Sequence, residues 1–173
     1  MAVLEILTYP DTRLSDPALP VSDFNRSLVQ LVVDLQETML VGPGAVGIAA
    51  PQVGVAQRVA IVDVSPVLEG DRNRKPKSSR NGRLVLINPE IVERDGEVTG
   101  REGCLSVPDY TGNVLRADAI RVQASNELGE SREYHCHGFE SRAIQHEIDH
   151  LDGKLFLDRV MSPRELFRRK AYK

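Results

Sequence analysis

The chain has 173 residues, the size of one domain, with 41% hydrophobic and 27% charged residues, so it can bury a core and is neither collagen-like nor disordered overall. Its 22 Lys and Arg against 25 Asp and Glu give a net charge of -3, which excludes the global basic field of a phosphate-backbone binder. Two cysteines and four histidines exclude a multi-bridge disulfide scaffold and leave few groups to carry metal or nucleophilic chemistry.

From Met1 to Pro10 there is an acid, Glu5, no Lys or Arg, and no small-residue cleavage pattern, so no secretory signal is expected. No apolar run approaches the roughly 20 residues needed to cross a bilayer. A soluble cytoplasmic protein with reduced thiols and no membrane partner is expected. Between Ser22 and Leu40, Leu28, Leu31, Val32, Leu35 and Met39 fall at helical spacing after Ser22 or Asp23 as cap, and Gly42, Pro43 and Gly44 stop the helix. Short β-rich runs follow at Arg58–Val64, Arg83–Ile87, Ala119–Ala124 and Arg132–His137. The stretch Ser65–Gly82, with five Lys or Arg and two acids, is expected to be a long mobile loop that contributes nothing to the core.

The segment Phe139–Leu155 reads as a helix with distinct faces. Ile144, Ile148, Leu151 and Leu155 form an apolar stripe, while Phe139, Ala143, His146, Glu147 and His150 share a neighbouring face. Gln145, Asp149 and Asp152 take the third. His146, Glu147 and His150 spell H-E-x-x-H: imidazoles at i and i+4 point the same way and hold one metal ion, while the glutamate reaches a water beside it.

A catalytic metal site normally has three protein ligands and one open position, so the third ligand decides the enzyme class. The long zincin signature fails because position 156 is Phe156, which does not ligate. Glu165 is a distant alternative, in a basic and exposed segment. Two cysteines remain. Cys136 lies between His135 and His137 in an extended run and points away from both, so it reads as a small buried side chain. Cys104 follows Gly103, whose freedom lets the chain approach an ion closely.

Three blocks, Gly47-Ile48-Ala49-Ala50-Pro51-Gln52, Glu102-Gly103-Cys104-Leu105-Ser106 and Gln145-His146-Glu147-Ile148-Asp149-His150-Leu151, resemble in order the three signature motifs of the peptide deformylases. The likeness runs from Leu7-Thr8-Tyr9-Pro10-Asp11 to Gly153-Lys154-Leu155-Phe156. It implies that Cys104, His146 and His150 are metal ligands and that Glu147 is the catalytic acid and base. Gln52, through its amide, and Leu105, through its N–H, would hold the substrate oxygen. It also implies substrate contacts from Val46, Gly47, Glu102, Phe139, Arg142 and Ala143, with Val46, Phe139 and Ala143 around a methionine slot and Arg142 at its rim. The implied reaction is removal of the N-formyl group from the N-terminal methionine of new polypeptides, releasing formate. The implied cofactor is one divalent metal ion, Fe2+ in the cell, with Zn2+, Ni2+ or Co2+ accepted in preparations.

The family usually has a glycine where this chain has Ala45. The Gly47 segment lacks the Lys-Ser or Lys-Thr of a phosphate loop and reads as an edge that pairs with substrate backbone. Beyond Asp158 stand Arg159, Arg164, Arg168, Arg169, Lys170 and Lys173 against Glu165 alone, which reads as a solvated helix end or, by likeness to related enzymes, a contact with ribosomal RNA. The expected fold is a single α+β domain over 1–173, a monomer, with mostly antiparallel sheets packed around a central helix carrying HExxH. Two rivals are an ordinary metalloprotease using Glu165 and a metal-binding module without turnover. A base at Glu147, which no structural site needs, argues against the second.

Overall fold

The computed structural model describes residues 2–69 and 77–169. Six strands form one connected antiparallel sheet: β1 Gly47–Ala49, β2 Val59–Val62, β3 Leu84–Cys104, β4 Val107–Ser125, β5 Ser131–His137 and β6 Leu166–Arg168. They lie in the order β1-β2-β3-β4-β5, with β6 added to β4. Three α-helices accompany them among the described residues: α1 Arg26–Val41, the single turn α2 Ser65–Leu68, and α3 Phe139–Leu151. Among the described residues no helix is long and apolar enough to cross a membrane.

The sheet is covered on both faces where β1, β2 and the start of β3 run. Ala60, Val62, Leu84 and Leu86 face α3, whose Ile144, Ile148 and Leu151 complete that core. Their alternates Val59, Ile61, Val85 and Ile87 face Leu28, Val32, Leu35 and Met39 of α1. This is why these runs are apolar throughout instead of alternating. A third cluster joins Leu14, Cys104, Val107, Val114, Leu155 and Phe156 under the Cys104 end of β3.

Several expectations are corrected. The cap of α1 is Asn25, whose side chain accepts from Leu28 N at 3.0 Å, and not Ser22 or Asp23. The run Arg83–Ile87 is only the start of a strand of 21 residues that pairs with the 19 residues of β4. The added portion of β3 is exposed along Glu93–Glu97, so it lacks the alternation that marks a half-buried strand. Within Ser65–Gly82, Leu68 is 7% exposed and belongs to the core, contrary to the expected exclusion. Ser79 Oγ donates to Glu140 Oε1 at 2.7 Å and Asn81 N donates to Glu140 Oε2 at 3.0 Å, tying that end of the stretch to the first turn of α3. The mobility expected of this stretch concerns also residues 70–76, which lie outside the described residues, as do Lys170 and Lys173 of the basic end. That end is not a solvated helix: Leu166–Arg168 is β6, paired with Tyr110–Gly112 of β4.

Candidate metal centre

α3 begins where β5 ends, at Gly138, whose φ of 65° lies in the left-handed region. A Cβ there would fall 1.9 Å from the Lys77 carbonyl oxygen, so only glycine permits this close crossing. The apolar stripe then fixes the roll of the helix. Ile144 and Leu151 are fully buried, each contributing roughly 2 to 3 kcal/mol, which holds the neighbouring polar face against the ends of β1 and β3.

The third face of α3 is also buried at Gln145 and Asp149, which anchor it, while Asp152 beyond the helix end is exposed. Gln145 Oε1 accepts from Ala117 N at 3.1 Å and its Nε2 donates to Ala117 O at 2.9 Å, docking the helix on β4. Asp149 accepts from Arg116 Nη1 and from Arg159 Nη2, each at 2.8 Å.

Cys104 comes from the other side, at the end of β3, where the two-residue turn Leu105–Ser106 leads to β4. A register shift between Glu102 and Cys104 marks a bulge, which turns this segment toward the helix. The Cys104 Sγ and ring nitrogens of His146 and His150 all lie within 4.8 Å of one another. Sγ is 3.3 Å from His150 Nε2. For comparison, the edge of a tetrahedron built from zinc–thiolate and zinc–imidazole bond lengths is about 3.5 Å. Cys104 Sγ and His150 Nε2 thus stand at a coordinating separation, with His146 in the same group, and one thiol with two imidazoles suits a borderline divalent ion.

The electrostatics point the same way. Burial opposes a charge on His146, but hydrogen bonds with Cys104 and Glu102 outweigh it and raise its pKa well above the ordinary value: the site favours positive charge. Burial lowers His150 well below its ordinary value, keeping that imidazole neutral. His150 Nδ1 and Glu147 Oε2 are buried and have no hydrogen-bond partner among the described residues. Burial pushes the Glu147 carboxyl up to about 7, against the lowering effect of His146 and Arg116. A carboxyl near neutrality is suited to both taking and giving a proton.

A cleft of about 220 Å³ opens beside these groups. Gln52, Glu102, Cys104, Leu105, His146 and Glu147 line it. Val46, Gly47, Phe139, Arg142 and Ala143 also line it, as does Arg101, so every site residue expected from the sequence except the deeper His150 borders one space. Gln52 is fixed by three contacts: its Oε1 accepts from Ala49 N at 2.9 Å, and its Nε2 faces Ser106 Oγ at 3.1 Å and Cys104 Sγ at 3.4 Å. The N-terminal segment braces both sides, with Leu7 N donating to Gln52 O at 2.7 Å and Tyr9 N to Ser106 O at 2.8 Å. At Gly47 a Cβ would meet Glu147 Oε1 at 2.6 Å, so glycine lets β1 pass against the carboxylate.

Glu102 borders the cleft, but its carboxylate is engaged on the protein side. It accepts from Arg116 Nε at 2.6 Å and Nη2 at 2.8 Å, and its Oε1 lies 2.9 Å from His146 Nδ1. Burial pushes the Glu102 carboxyl upward, but Arg116 and His146 outweigh it and hold it at about 2. Arg116 escaped the sequence reading, and Arg159, read there as part of the basic end, instead holds Asp149. The signal for Arg116 was an arginine at an inward-facing position of the Val114-x-Arg116 alternation, which needs buried anions around it.

The rival ligands lie elsewhere. Glu165 Oε2 accepts from Asn113 Nδ2 at 2.6 Å and is outside the Cys104, His146 and His150 group. Cys136 is buried with its thiol pKa pushed up by burial, while its neighbours His135 and His137 are exposed.

The polypeptide deformylase family model matches residues 3–165. The chain is 48% identical over 160 residues to peptide deformylase 1 of Bacillus cereus, spanning 92% of this chain and 94% of the relative. It is 45% identical over 174 residues to the peptide deformylase of Alkalilimnicola ehrlichii, spanning 100% of this chain and 91% of the relative. The Met-Ala-Ser-bound class I type b peptide deformylase of Acinetobacter baumannii matches with a TM-score of 0.82 and 39% identity, over 92% of this chain and 99% of that one. The peptide deformylase of Ehrlichia chaffeensis in complex with actinonin matches with a TM-score of 0.84 and 37% identity, over 95% and 92%. With relatives near half identical along nearly its whole length and a family model that takes in β1 to β5, α3 and the Cys104, His146 and His150 group, this chain belongs to the polypeptide deformylase family.

Proposed function

We propose that Cys104, His146 and His150 hold the metal ion of this deformylase and that Glu147 moves the proton in each half of the reaction. The reaction is hydrolysis of the N-formyl amide at the N-terminal methionine of new polypeptides, giving formate and a free amine. The observation that carries the reading is the convergence of Sγ and two ring nitrogens within 4.8 Å, with the buried Glu147 carboxylate beside them. When bound, the ion supplies Lewis acidity, polarising the formyl carbonyl and lowering the pKa of water.

Glu147 takes a proton from the attacking water, whose oxygen bonds to the formyl carbon. Gln52 Nε2 and the Leu105 N–H donate to the oxygen that gains negative charge. As the C–N bond breaks, Glu147 returns the proton to the departing amine. Gln52 is suited to its part because its Oε1 is held by Ala49 N, which fixes the amide with Nε2 beside Cys104 Sγ, from whose long contact an N–H can turn to the substrate oxygen. Phe139 and Ala143, one turn apart on α3 and ahead of His146, form with Val46 an apolar slot for the methionine side chain. Arg142 stands at its rim. Gly47 and Val46 offer backbone to the peptide. A related structure is bound to Met-Ala-Ser, a peptide of the kind that removal of a formyl group from formyl-Met-Ala-Ser would leave, which supports a peptide substrate of this class.

Fe2+ is the proposed ion in the cell, with Zn2+, Ni2+ or Co2+ in preparations, because a mixed thiolate and imidazole set with an open position accepts each of them. A cytoplasmic monomer is proposed, with a ribosomal RNA contact through the basic end from Arg159 onward. The reading is tested by formate release from formyl-Met-Ala-Ser under anaerobic conditions with Fe2+ or Ni2+ loaded. A metalloprotease relying on Glu165 would keep metal and activity in Cys104→Ala, whereas the deformylase loses both.

A further inference from the structure

We infer that Arg142 and Arg101 form a cationic mouth to the cleft that favours substrates carrying a carboxylate one or two residues after the formyl-methionine. The inference rests on the deformylase reading above. Both residues line the cleft, Arg142 from α3 and Arg101 from β3. The backbone makes room for them: a Cβ built at Gly100 would fall 1.4 Å from Arg142 Nη1 and 2.7 Å from its Cζ, so the guanidinium lies directly on the strand. Gly103 does the same for Arg169, whose Nη2 would be 2.7 Å from a Cβ there.

Arg142 is half-buried and its Cζ stands 5.6 Å from the Phe139 ring centroid, but it has no hydrogen bond or ion pair among the described residues. Arg101 lies over Phe167, with Cζ 3.8 Å from the ring centroid, and donates to Asn113 Oδ1 at 3.1 Å; it too meets no carboxylate among the described residues. The acids of the cleft do not neutralise them. Glu102 is held by Arg116 and His146, and Glu147 is buried behind Gly47.

A partly desolvated cation without a counter-ion is unfavourable in the free protein and becomes favourable when a ligand brings the anion. The anion's place follows from the helix. Arg142 directly precedes Ala143, which borders the methionine slot, so a peptide leaving that slot passes the guanidinium. At about 3.3 Å per extended residue, the next two side chains come within reach of the long arginine arm.

Two sources share this chemistry: an acidic side chain and the C-terminal carboxylate of a short peptide. Amidated substrates separate them. We would measure kcat/KM for formyl-Met-Asp-Ser-amide against formyl-Met-Asn-Ser-amide, and for formyl-Met-Ala-Asp-amide against formyl-Met-Ala-Asn-amide. The expected result is an Asp over Asn preference of about five- to tenfold at one of these positions, expressed in KM and shrinking in about 0.5 M salt. The preference falls to near one in Arg142→Gln, falls partly in Arg101→Gln, and survives in Arg142→Lys.

A wild-type ratio near one at both positions overturns the inference, as does an unchanged ratio in Arg142→Gln. A preference for free acids that vanishes on amidation also overturns it, because it assigns the mouth to the peptide terminus. Should Arg142→Gln fail to fold, the wild-type ratio, its salt dependence and Arg101→Gln decide. Formyl-Met-Ala-Ser keeps the two readings apart: no formate from it removes the deformylase reading, and turnover of it without an Asp preference removes only the cationic mouth.

Discussion

Glu102 Oε1 lies 2.9 Å from His146 Nδ1. A carboxylate held at about 2 only accepts, so Nδ1 must carry the proton and donate it, which leaves Nε2 as the free nitrogen for an ion. Glu102 therefore sets the tautomer and the roll of the imidazole. Glu102→Gln should weaken metal affinity by about 10- to 100-fold in a chelator competition. An affinity equal to wild type would mean that His146 is oriented by its helix alone.

Arg116 ties Glu102 to Asp149, and its side chain is only 2% exposed. Removing it leaves two buried carboxylates without their shared cation. Arg116→Met should cost about 3 to 5 kcal/mol in urea unfolding. Adding Glu102→Gln and Asp149→Asn to it should recover part of the loss, because the buried charges that lost their shared cation go with them, Asp149 having only Arg159 left among the described residues.

The same pair predicts a pH dependence. Glu102 has a folded pKa of about 2, below its ordinary value of 4.5, so it stabilises the fold fully above that ordinary value. That contribution is lost as pH falls from about 4.5 toward 2. The urea midpoint of wild type should drop more steeply across this window than that of Glu102→Gln. Parallel curves would show that the ion pair adds nothing in acid.

Gly47→Ala tests how closely β1 must approach the base. The added methyl would stand 2.6 Å from Glu147 Oε1 and 2.9 Å from its Cγ, so the carboxylate must move. A displacement near 1 Å at a reacting group lowers the rate by about 100-fold. Formate release should fall by that order while metal content stays the same, since none of Cys104, His146 and His150 is displaced by the methyl.

The metal face of α3 was legible because helical periodicity places positions 139, 143, 146, 147 and 150 together whatever surrounds them. The apolar runs of β2 and early β3 were legible for a related reason, since burial on both faces leaves no polar alternation. The long arm of β3 was not, because Glu93–Glu97 is exposed and pairs through backbone hydrogen bonds that no side-chain pattern records. The basic end misled because its charge suggested a solvated helix, whereas Leu166 and Phe167 are partly buried in β6. Cys104 could be singled out by resemblance, but its 3.3 Å approach to His150 depends on a bulge and a turn between strands, which spacing does not encode. The Arg116, Asp149 and Arg159 network is a tertiary property as well: each residue alone reads as a surface charge.

In the proposed reaction Glu147 transfers the proton for a metal held by Cys104, His146 and His150. Its most direct test is anaerobic formate release from formyl-Met-Ala-Ser by wild type and by Glu147→Gln, with metal content measured on the same samples. Equal metal content is expected, with a rate lower in the variant by about 10²- to 10⁴-fold. A Glu147→Gln enzyme that binds its metal and releases formate at the wild-type rate would contradict it.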